Sequence, residues 1–261
     1  MKKIQFSILA LTLFISSCVC WVQVMDTETI SKGIEKVPSQ NHSYVYQNDS
    51  IAVIYTFWAK KGVLAFSIYN KLEVPIYIDW KKCSYISKGN KWDYWKDDKT
   101  VNGTSVTTGY IYKGNALFVP NVFGGTISTQ TISSEERVTF IPPRSYYYRS
   151  DFLITPRNWY DTNKLVKTTI PSLANPGKTI EAKFIELTYD TSPFKFRNFL
   201  TWSTKENFEV ENYLDHEFYV AKVTMVKDSE FTNDTYSNTS AIKYFYKRND
   251  RFYVYPKITD H

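Results

Sequence analysis

The sequence is poor in the residues that build metal and redox sites, with three cysteines and three histidines in 261 residues. It contains no CxxC pair and no Cys/His cluster, which argues against a structural zinc site. None of the histidines has a second His or an acid at metal-ligand spacing, so we expect them to be solvated or incidental. The sequence therefore predicts neither a structural metal nor a cofactor.

Local catalytic motifs are also missing. The chain has no GxSxG elbow, no HExxH, no phosphate-binding GxxxxGK[ST] and no GxGxxG. Glu135 and Glu136 are adjacent, but neighbouring residues of a strand point in opposite directions, so they would not flank one scissile bond. These absences favour a non-catalytic protein over an enzyme with a familiar active site.

Neither basic nor acidic residues are concentrated in one stretch of the sequence. The formal net charge is +6, from 32 Lys and Arg against 26 Asp and Glu. Removal of residues 1–17 would take away Lys2 and Lys3 and no acid, leaving +4. A nucleic-acid-binding protein usually carries a basic face and a higher net charge, so we expect no nucleic-acid partner.

Long apolar runs are absent except at the N-terminus. Residues 4–15 are apolar and follow Lys2 and Lys3. Twelve residues are too few for a transmembrane helix, which needs ~20, but they suit the apolar core of a secretory signal. The run ends in Ile-Ser-Ser before Cys18, the pattern of a bacterial lipobox, in which the cysteine becomes the lipidated first residue. We predict a signal peptide over 1–17 and a lipid anchor on Cys18.

The segment after the anchor, residues 18–42, is polar beyond Met25 and contains Gly33 and Pro38. This composition is typical of a flexible tether that holds a domain away from a membrane. Cys20 would lie within this tether, and Cys83 within a strand of the body. We therefore expect Cys83 to be a buried, reduced thiol rather than half of a disulfide.

The body, residues 43–261, consists of short β-branched and aromatic runs separated by polar turns. Residues 51–58, 63–69, 76–78 and 218–226 are the clearest predicted strands, and residues 110–133 contain further short candidates. We expect the strands at 63–69 and 76–78 to be adjacent and antiparallel. The pattern predicts an immunoglobulin-like antiparallel β-sandwich, either one large or two small sandwiches divided near residues 155–180, where one short helix is predicted at 160–167.

Aromatic residues make up 17% of the chain. Four of them, Trp80, Trp92, Tyr94 and Trp95, cluster around a predicted turn at residues 88–90, and alternation places Trp92 and Tyr94 on one face. Aromatic side chains of a strand either fill the core or remain exposed and stack on a ligand such as a sugar. We take these four residues as the candidate ligand-binding site.

Two blocks of sequence resemble uncharacterised envelope lipoproteins of the Bacteroidetes. They are PIYIDWKKCS at residues 75–84, together with Asn70, and SPFKFRNF at residues 192–199. The resemblance implies an envelope lipoprotein, and it assigns no reaction or functional residues. We expect a lipid-anchored protein of the cell envelope, on the periplasmic or surface face of the outer membrane.

Two function classes follow from the sequence. The first is a non-catalytic envelope lipoprotein whose β-sandwich binds a protein or glycan partner. The alternative is an exported hydrolase whose site no local motif reveals. A cleft with convergent acids or a Ser/His pair would favour the hydrolase, and an exposed aromatic patch would favour the binding protein.

Overall fold

A computed structural model describes residues 20–95, 136–155, 160–173, 175–232, 242 and 246–256. Cys18, the signal segment and the candidate strands at 110–133 lie outside these residues. Fifteen strands are described: β1 (Trp21–Thr29), β2 (Ile34–Val37), β3 (Ser43–Gln47), β4 (Ile51–Thr56), β5 (Val63–Asn70), β6 (Ile76–Asp79), β7 (Ser84–Ser87), β8 (Asn90–Asp93), β9 (Val138–Ile141), β10 (Tyr146–Leu153), β11 (Val166–Pro171), β12 (Thr179–Glu186), β13 (Lys195–Ser203), β14 (Asn212–Lys227) and β15 (Arg251–Val254).

Helix is scarce in the described part of the chain. It comprises α1 (Asp228–Phe231) and three 3-10 turns, at Pro38–Gln40, Trp80–Lys82 and Thr162–Lys164. None of the described helices has the length and hydropathy needed to cross a membrane.

Two antiparallel sheets form a β-sandwich, which confirms the predicted fold class. The large sheet has ten strands, six of them along the path β11-β12-β14-β13-β6-β9. β1 pairs with β14 and carries β15 on its other side, and β7 pairs with β13 and carries β8 on its other side. The small sheet has five strands in the order β10-β5-β4-β3-β2. Because β13 pairs with both β7 and β14, strands from both sides of residues 155–180 share one sheet. Within the described residues, these strands therefore belong to one sandwich.

Aromatic side chains fill the space between the sheets. The ring of Phe57, beside the small sheet, lies 5.2 Å from that of Phe196 and 5.0 Å from that of Phe218 in the large sheet. All three are fully buried, as is Tyr55. Burial of an aromatic side chain contributes ~2–3 kcal/mol each, so this cluster holds the two sheets together.

A second apolar cluster lies on the opposite face of the large sheet. Val22 and Val24 of β1 belong to it, whereas Met25 points into the inter-sheet core. Phe231 and Tyr246, from the segment after β14, cover part of this outer face. The central strands of the large sheet are therefore apolar on both faces.

The predicted flexible tether is wrong for residues 21–42. Trp21–Thr29 is a strand paired on one side with β14 and on the other with β15, and Val22, Gln23 and Met25 are fully buried. This strand is covered on both faces, and the polar Gln23 and Thr27 are among its buried residues, so it lacks the apolar and polar alternation that marks a half-exposed strand. Residues 34–37 and 43–47 then add β2 and β3 to the small sheet.

The predicted pairing of β5 with β6 is also wrong. β5 pairs with β4 and β10 in the small sheet, and β6 pairs with β9 and β13 in the large sheet. Asn70 causes this crossing, because its buried amide donates to the carbonyls of Val74, Ile141 and Pro142 at 2.8–3.1 Å. These bonds fix the chain as it leaves one sheet for the other.

The helix predicted at residues 160–167 is replaced by the 3-10 turn at Thr162–Lys164 and the first residues of β11. β11 pairs along its whole length with β12, from Val166 opposite Phe184 to Pro171 opposite Thr179. Its β-branched Thr168, Thr169 and Ile170 favour a strand, and the sheet edge offered by β12 overrides the weak helical pattern.

Candidate functional site

Two of the four predicted ligand-binding residues are core residues. Trp80 is fully buried and Tyr94 is 3% exposed, with 5.6 Å between their ring centroids. The guanidinium of Arg149 lies 4.1 Å from the Trp80 ring centroid and 5.0 Å from that of Tyr94. The Trp80 indole donates to the Thr139 hydroxyl at 2.6 Å. The prediction of a ligand platform is therefore wrong for these two residues, because their rings face the inter-sheet core.

The other two predicted residues are nearer to solvent. Trp92 is 54% exposed, and Trp95 is partly buried against the core, with the Lys81 ammonium 5.5 Å from its ring. The strand ends at Asp93, so the chain turns the next ring, Tyr94, inward. The expected shared face of Trp92 and Tyr94 is thus not formed.

The hairpin that carries Trp92 is built as its sequence predicts. Lys88 and Gly89 are the two central residues between β7 and β8, with φ of 52° and 77°. Positive φ at both positions matches the right-handed twist of paired strands, and glycine adopts it without steric cost. The hairpin displays one exposed indole, which by itself is not a site.

A cavity on the outer face of the large sheet is the strongest candidate site. It has a volume of about 500 Å³, within the range of small-ligand pockets. Five strands and the C-terminal segment form it. Its lining residues are Val24, Asp26, Thr168, Ile170, Pro171, Leu173, Phe184, Glu186, Lys222, Thr224, Val226, Tyr246 and Arg251.

Four charged residues cross the cavity floor in register, and we call them the charge row. Arg251 of β15 is opposite Asp26 of β1, Asp26 is opposite Lys222 of β14, and Lys222 is opposite Glu186 of β12. Their signs alternate. Opposite charges directly across neighbouring strands attract one another, which favours this register.

The two ends of the charge row differ in burial. An Arg251 Nη2 donates to Asp26 at 2.6 Å, and these side chains are 12% and 25% exposed. Lys222 and Glu186 are 3.6 Å apart and 42% and 72% exposed. In the described part of the chain, the buried Nε–H of Arg251 has no hydrogen-bond acceptor. A buried donor of this kind is costly unless a ligand or water supplies the acceptor.

An apolar floor, formed by Val24, Phe184 and Val226, lies beside the charge row. Val24 and Phe184 flank Thr224 on the next step along their strands, and Val226 lies one step further along β14. The Lys222 ammonium lies 5.4 Å from the Phe184 ring. The floor offers apolar contact, and the row offers both donors and acceptors. The cavity therefore suits a ligand with one apolar face and several hydroxyl or amide groups.

A buried carboxylate, Glu230, is hydrogen-bonded to Tyr246, which lines the cavity. The Ser172 hydroxyl donates to both oxygens of Glu230, at 3.1 and 3.0 Å, and the Tyr246 hydroxyl donates to Glu230 at 3.5 Å. Burial, with the nearby Glu230 carboxylate, raises the pKa of Tyr246 above its ordinary range. Tyr246 thus remains a neutral hydrogen-bonding group in the cavity lining at physiological pH.

Sequence reasoning missed this site. Its residues come from positions 24–26, 168–173, 184–186, 222–226, 246 and 251, and most of these segments are far apart in the chain. A partial signal did exist in residues 218–226, whose apolar residues do not keep to one face of a strand. Val223 and Met225 point into the inter-sheet core and Val226 points into the outer cluster, so a second layer covers this end of the strand.

The described residues contain no group of three His, Cys, Asp or Glu side chains placed to hold a metal ion. Comparisons of the chain with protein-family models, with curated protein sequences and with solved structures find no match. The site must therefore be interpreted from its own chemistry.

Proposed function

We propose that this protein is a non-catalytic, lipid-anchored lipoprotein of the cell envelope whose β-sandwich binds a glycan in the cavity of its large sheet. The N-terminal pattern that ends at Cys18 supports the lipid anchor and the location in the cell envelope. The charge row, with the apolar floor beside it, is the observation that carries the ligand class.

The alternating signs of the charge row favour a neutral polyhydroxylated ligand over an ion. An anion would be attracted by Arg251 and Lys222 but repelled by Asp26 and Glu186. A sugar hydroxyl both donates and accepts, so it can satisfy either sign. The apolar face of a sugar ring can then pack on Phe184 of the floor.

Binding of purified protein to an array of bacterial and host glycans tests the proposal. Phe184→Ser and Lys222→Met remove the apolar contact and one member of the charge row, and both residues lie at the accessible side of the cavity. We expect each variant to bind its glycan about tenfold more weakly, which corresponds to about 1.4 kcal/mol.

Matched controls are available on the same sheet. Phe140→Ser changes a phenylalanine that is 53% exposed on β9, and Lys227→Met changes an exposed lysine at the end of β14. Neither residue lines the cavity, so both controls should bind as the wild type does. Glycan binding that survives in the cavity variants, or binding to no glycan at all, would contradict the proposed ligand. Release of new reducing ends from a bound glycan would show the hydrolase instead.

A further inference from the structure

The first strand of the sandwich begins very close to the proposed lipid anchor. Trp21, the first residue of β1, is three residues after Cys18 and is opposite Lys227 of β14. An extended chain spans at most ~3.6 Å per residue, so the Cα atoms of Cys18 and Trp21 lie within ~11 Å of each other.

The chain is already fixed one residue earlier. The backbone N–H of Asp228, at the start of α1, donates to the carbonyl of Cys20 at 2.9 Å. Val19 alone separates Cys20 from the anchoring cysteine. The connection from Cys18 to Cys20 spans at most ~7 Å between Cα atoms, so only one residue separates the proposed anchor from the first described residue.

The side chains around this end of the large sheet suit a headgroup layer. We call Trp21, Lys60, Lys227 and Tyr255 the proximal pole. Lys60 and Lys227 are exposed, Trp21 and Tyr255 are half-buried, and the Lys60 ammonium lies 5.2 Å from the Tyr255 ring. Tryptophan and tyrosine rings are favoured at membrane interfaces, and lysines attract anionic headgroups.

We propose that the proximal pole rests directly on the phospholipid headgroups and that the short connection to Cys18 fixes the orientation of the sandwich. This inference rests on the lipidation of Cys18 in the proposed function. The 16 residues of β14 end at Lys227 in the proximal pole, so in this orientation the strand extends ~50 Å from the bilayer. Val24 is six residues from Cys18, so the cavity is held within ~20 Å of the membrane surface and faces sideways.

Site-specific fluorescence quenching in vesicles tests this orientation. The acylated full chain with Cys20→Ser would carry one environment-sensitive label, at Lys227→Cys in the proximal pole or at Lys205→Cys in the β13–β14 turn. Both positions are exposed lysines. The vesicles would contain phosphatidylethanolamine, phosphatidylglycerol and a lipid with a spin-labelled headgroup.

We expect about threefold stronger quenching at position 227 than at position 205, since the length of β14 separates them by ~50 Å. A glycine and serine insertion of about twelve residues after position 20 adds roughly 20 Å of reach and should abolish most of the difference. Equal quenching at the two positions, or a difference that the insertion leaves unchanged, would overturn the fixed orientation.

Failure of the anchor is distinguishable from failure of the orientation. A wild-type protein that takes up no palmitate analogue overturns both, because no lipid then holds the pole. An acylated protein that floats with vesicles but shows equal quenching overturns the orientation alone. Glycan binding in the cavity is measured separately and is independent of either result.

Discussion

The hydroxyl of Tyr55 lies 2.8 Å from Nδ1 of His216 in the buried centre of the sandwich. The Tyr94 hydroxyl donates to the Asn198 side-chain oxygen at 2.7 Å, and the Asn198 amide donates to the Tyr55 hydroxyl at 3.1 Å. The Tyr55 hydroxyl, which accepts from Asn198, can donate its own proton to Nδ1 in the His216 tautomer that carries its hydrogen on Nε2. His216 is a neutral core residue and is not solvated.

Burial of His216 predicts a loss of stability in mild acid. Burial lowers the pKa of His216 from its ordinary value of 6.5 to about 4. Between these values the unfolded state binds the proton and the folded state does not, so stability falls as the pH drops from about 6.5 to about 4. A shift of this size corresponds to about 3 kcal/mol, measurable by urea unfolding at a series of pH values.

Two histidine variants separate this effect from the titration of carboxylates. His216→Gln should flatten the stability profile between pH 6.5 and 4 relative to the wild type. His42→Asn should leave most of the slope, because burial lowers the pKa of the half-buried His42 less than that of His216, and asparagine tolerates its φ of 60°. Identical slopes for His216→Gln and the wild type would contradict the assignment.

Gln23 of β1 fixes the segment that precedes β11. Its side chain donates to the carbonyl of Tyr160 at 2.8 Å and accepts from the N–H of the same residue at 2.9 Å. Gln23→Ala would leave both backbone groups buried without partners, at a cost of roughly 3 kcal/mol. Urea unfolding measures this cost, and the Tyr160 amide should exchange its hydrogen faster in the variant.

Gln47→Ala is the matched control, because Gln47 is exposed at the end of β3. Its free energy of unfolding should stay within ~0.5 kcal/mol of the wild type. Equal losses for the two variants would show that the Gln23 bonds add nothing specific.

The two described cysteines should differ sharply in reactivity. Cys83 is a fully buried free thiol, and its burial raises its pKa to about 12. Cys20 is exposed. Because the thiolate is the reactive form, iodoacetamide at pH 8 should label Cys20 quickly and Cys83 only after denaturation. Peptide mass spectrometry measures both sites, and a Cys20–Cys83 disulfide in the intact protein would contradict this prediction.

The positions of the strands were easier to predict from the sequence than the pairing between them. The strands at 51–58, 63–69, 76–78 and 218–226 are confirmed within a few residues, because β-branched and aromatic runs are a local signal. The β5–β6 pairing was not predictable, since it depends on where one buried Asn70 finds its carbonyl partners. β1 was missed because a strand buried on both faces has no alternation.

The candidate site could not be predicted from the sequence for a related reason. A sheet brings Arg251, Asp26, Lys222 and Glu186 together from four strands, and each is unremarkable in its own stretch of sequence. The aromatic cluster at residues 80–95 carried a strong local signal, but composition does not say which side of a strand is covered. Burial in this fold assigns most of that signal to packing.

Lipidation of Cys18 stays a prediction from the sequence. Metabolic labelling with a palmitate analogue should mark the wild-type protein and not Cys18→Ser, because the thiol carries the diacylglycerol. The unlabelled variant should also leave the membrane fraction. Cys20→Ser is the matched control and should retain the label. Equal labelling of the wild type and Cys18→Ser would show that no lipid is attached at this residue.

The aromatic cluster gives a graded prediction of stability. Trp80 is fully buried, Trp95 is partly buried, and Trp92 is 54% exposed. Trp80→Ala should lose ~3–5 kcal/mol, because truncation leaves a cavity beside Arg149. Trp92→Ala should stay within ~0.5 kcal/mol of the wild type, and Trp95→Ala should fall between the two.

Urea unfolding checks this order, and glycan binding by the same variants checks the location of the site. All three tryptophans lie outside the cavity lining, so folded variants should bind as the wild type does. A stable Trp92→Ala protein that binds its glycan much more weakly would move the site from the cavity to the β7–β8 hairpin. A large loss of stability in Trp92→Ala would instead show that its indole is covered.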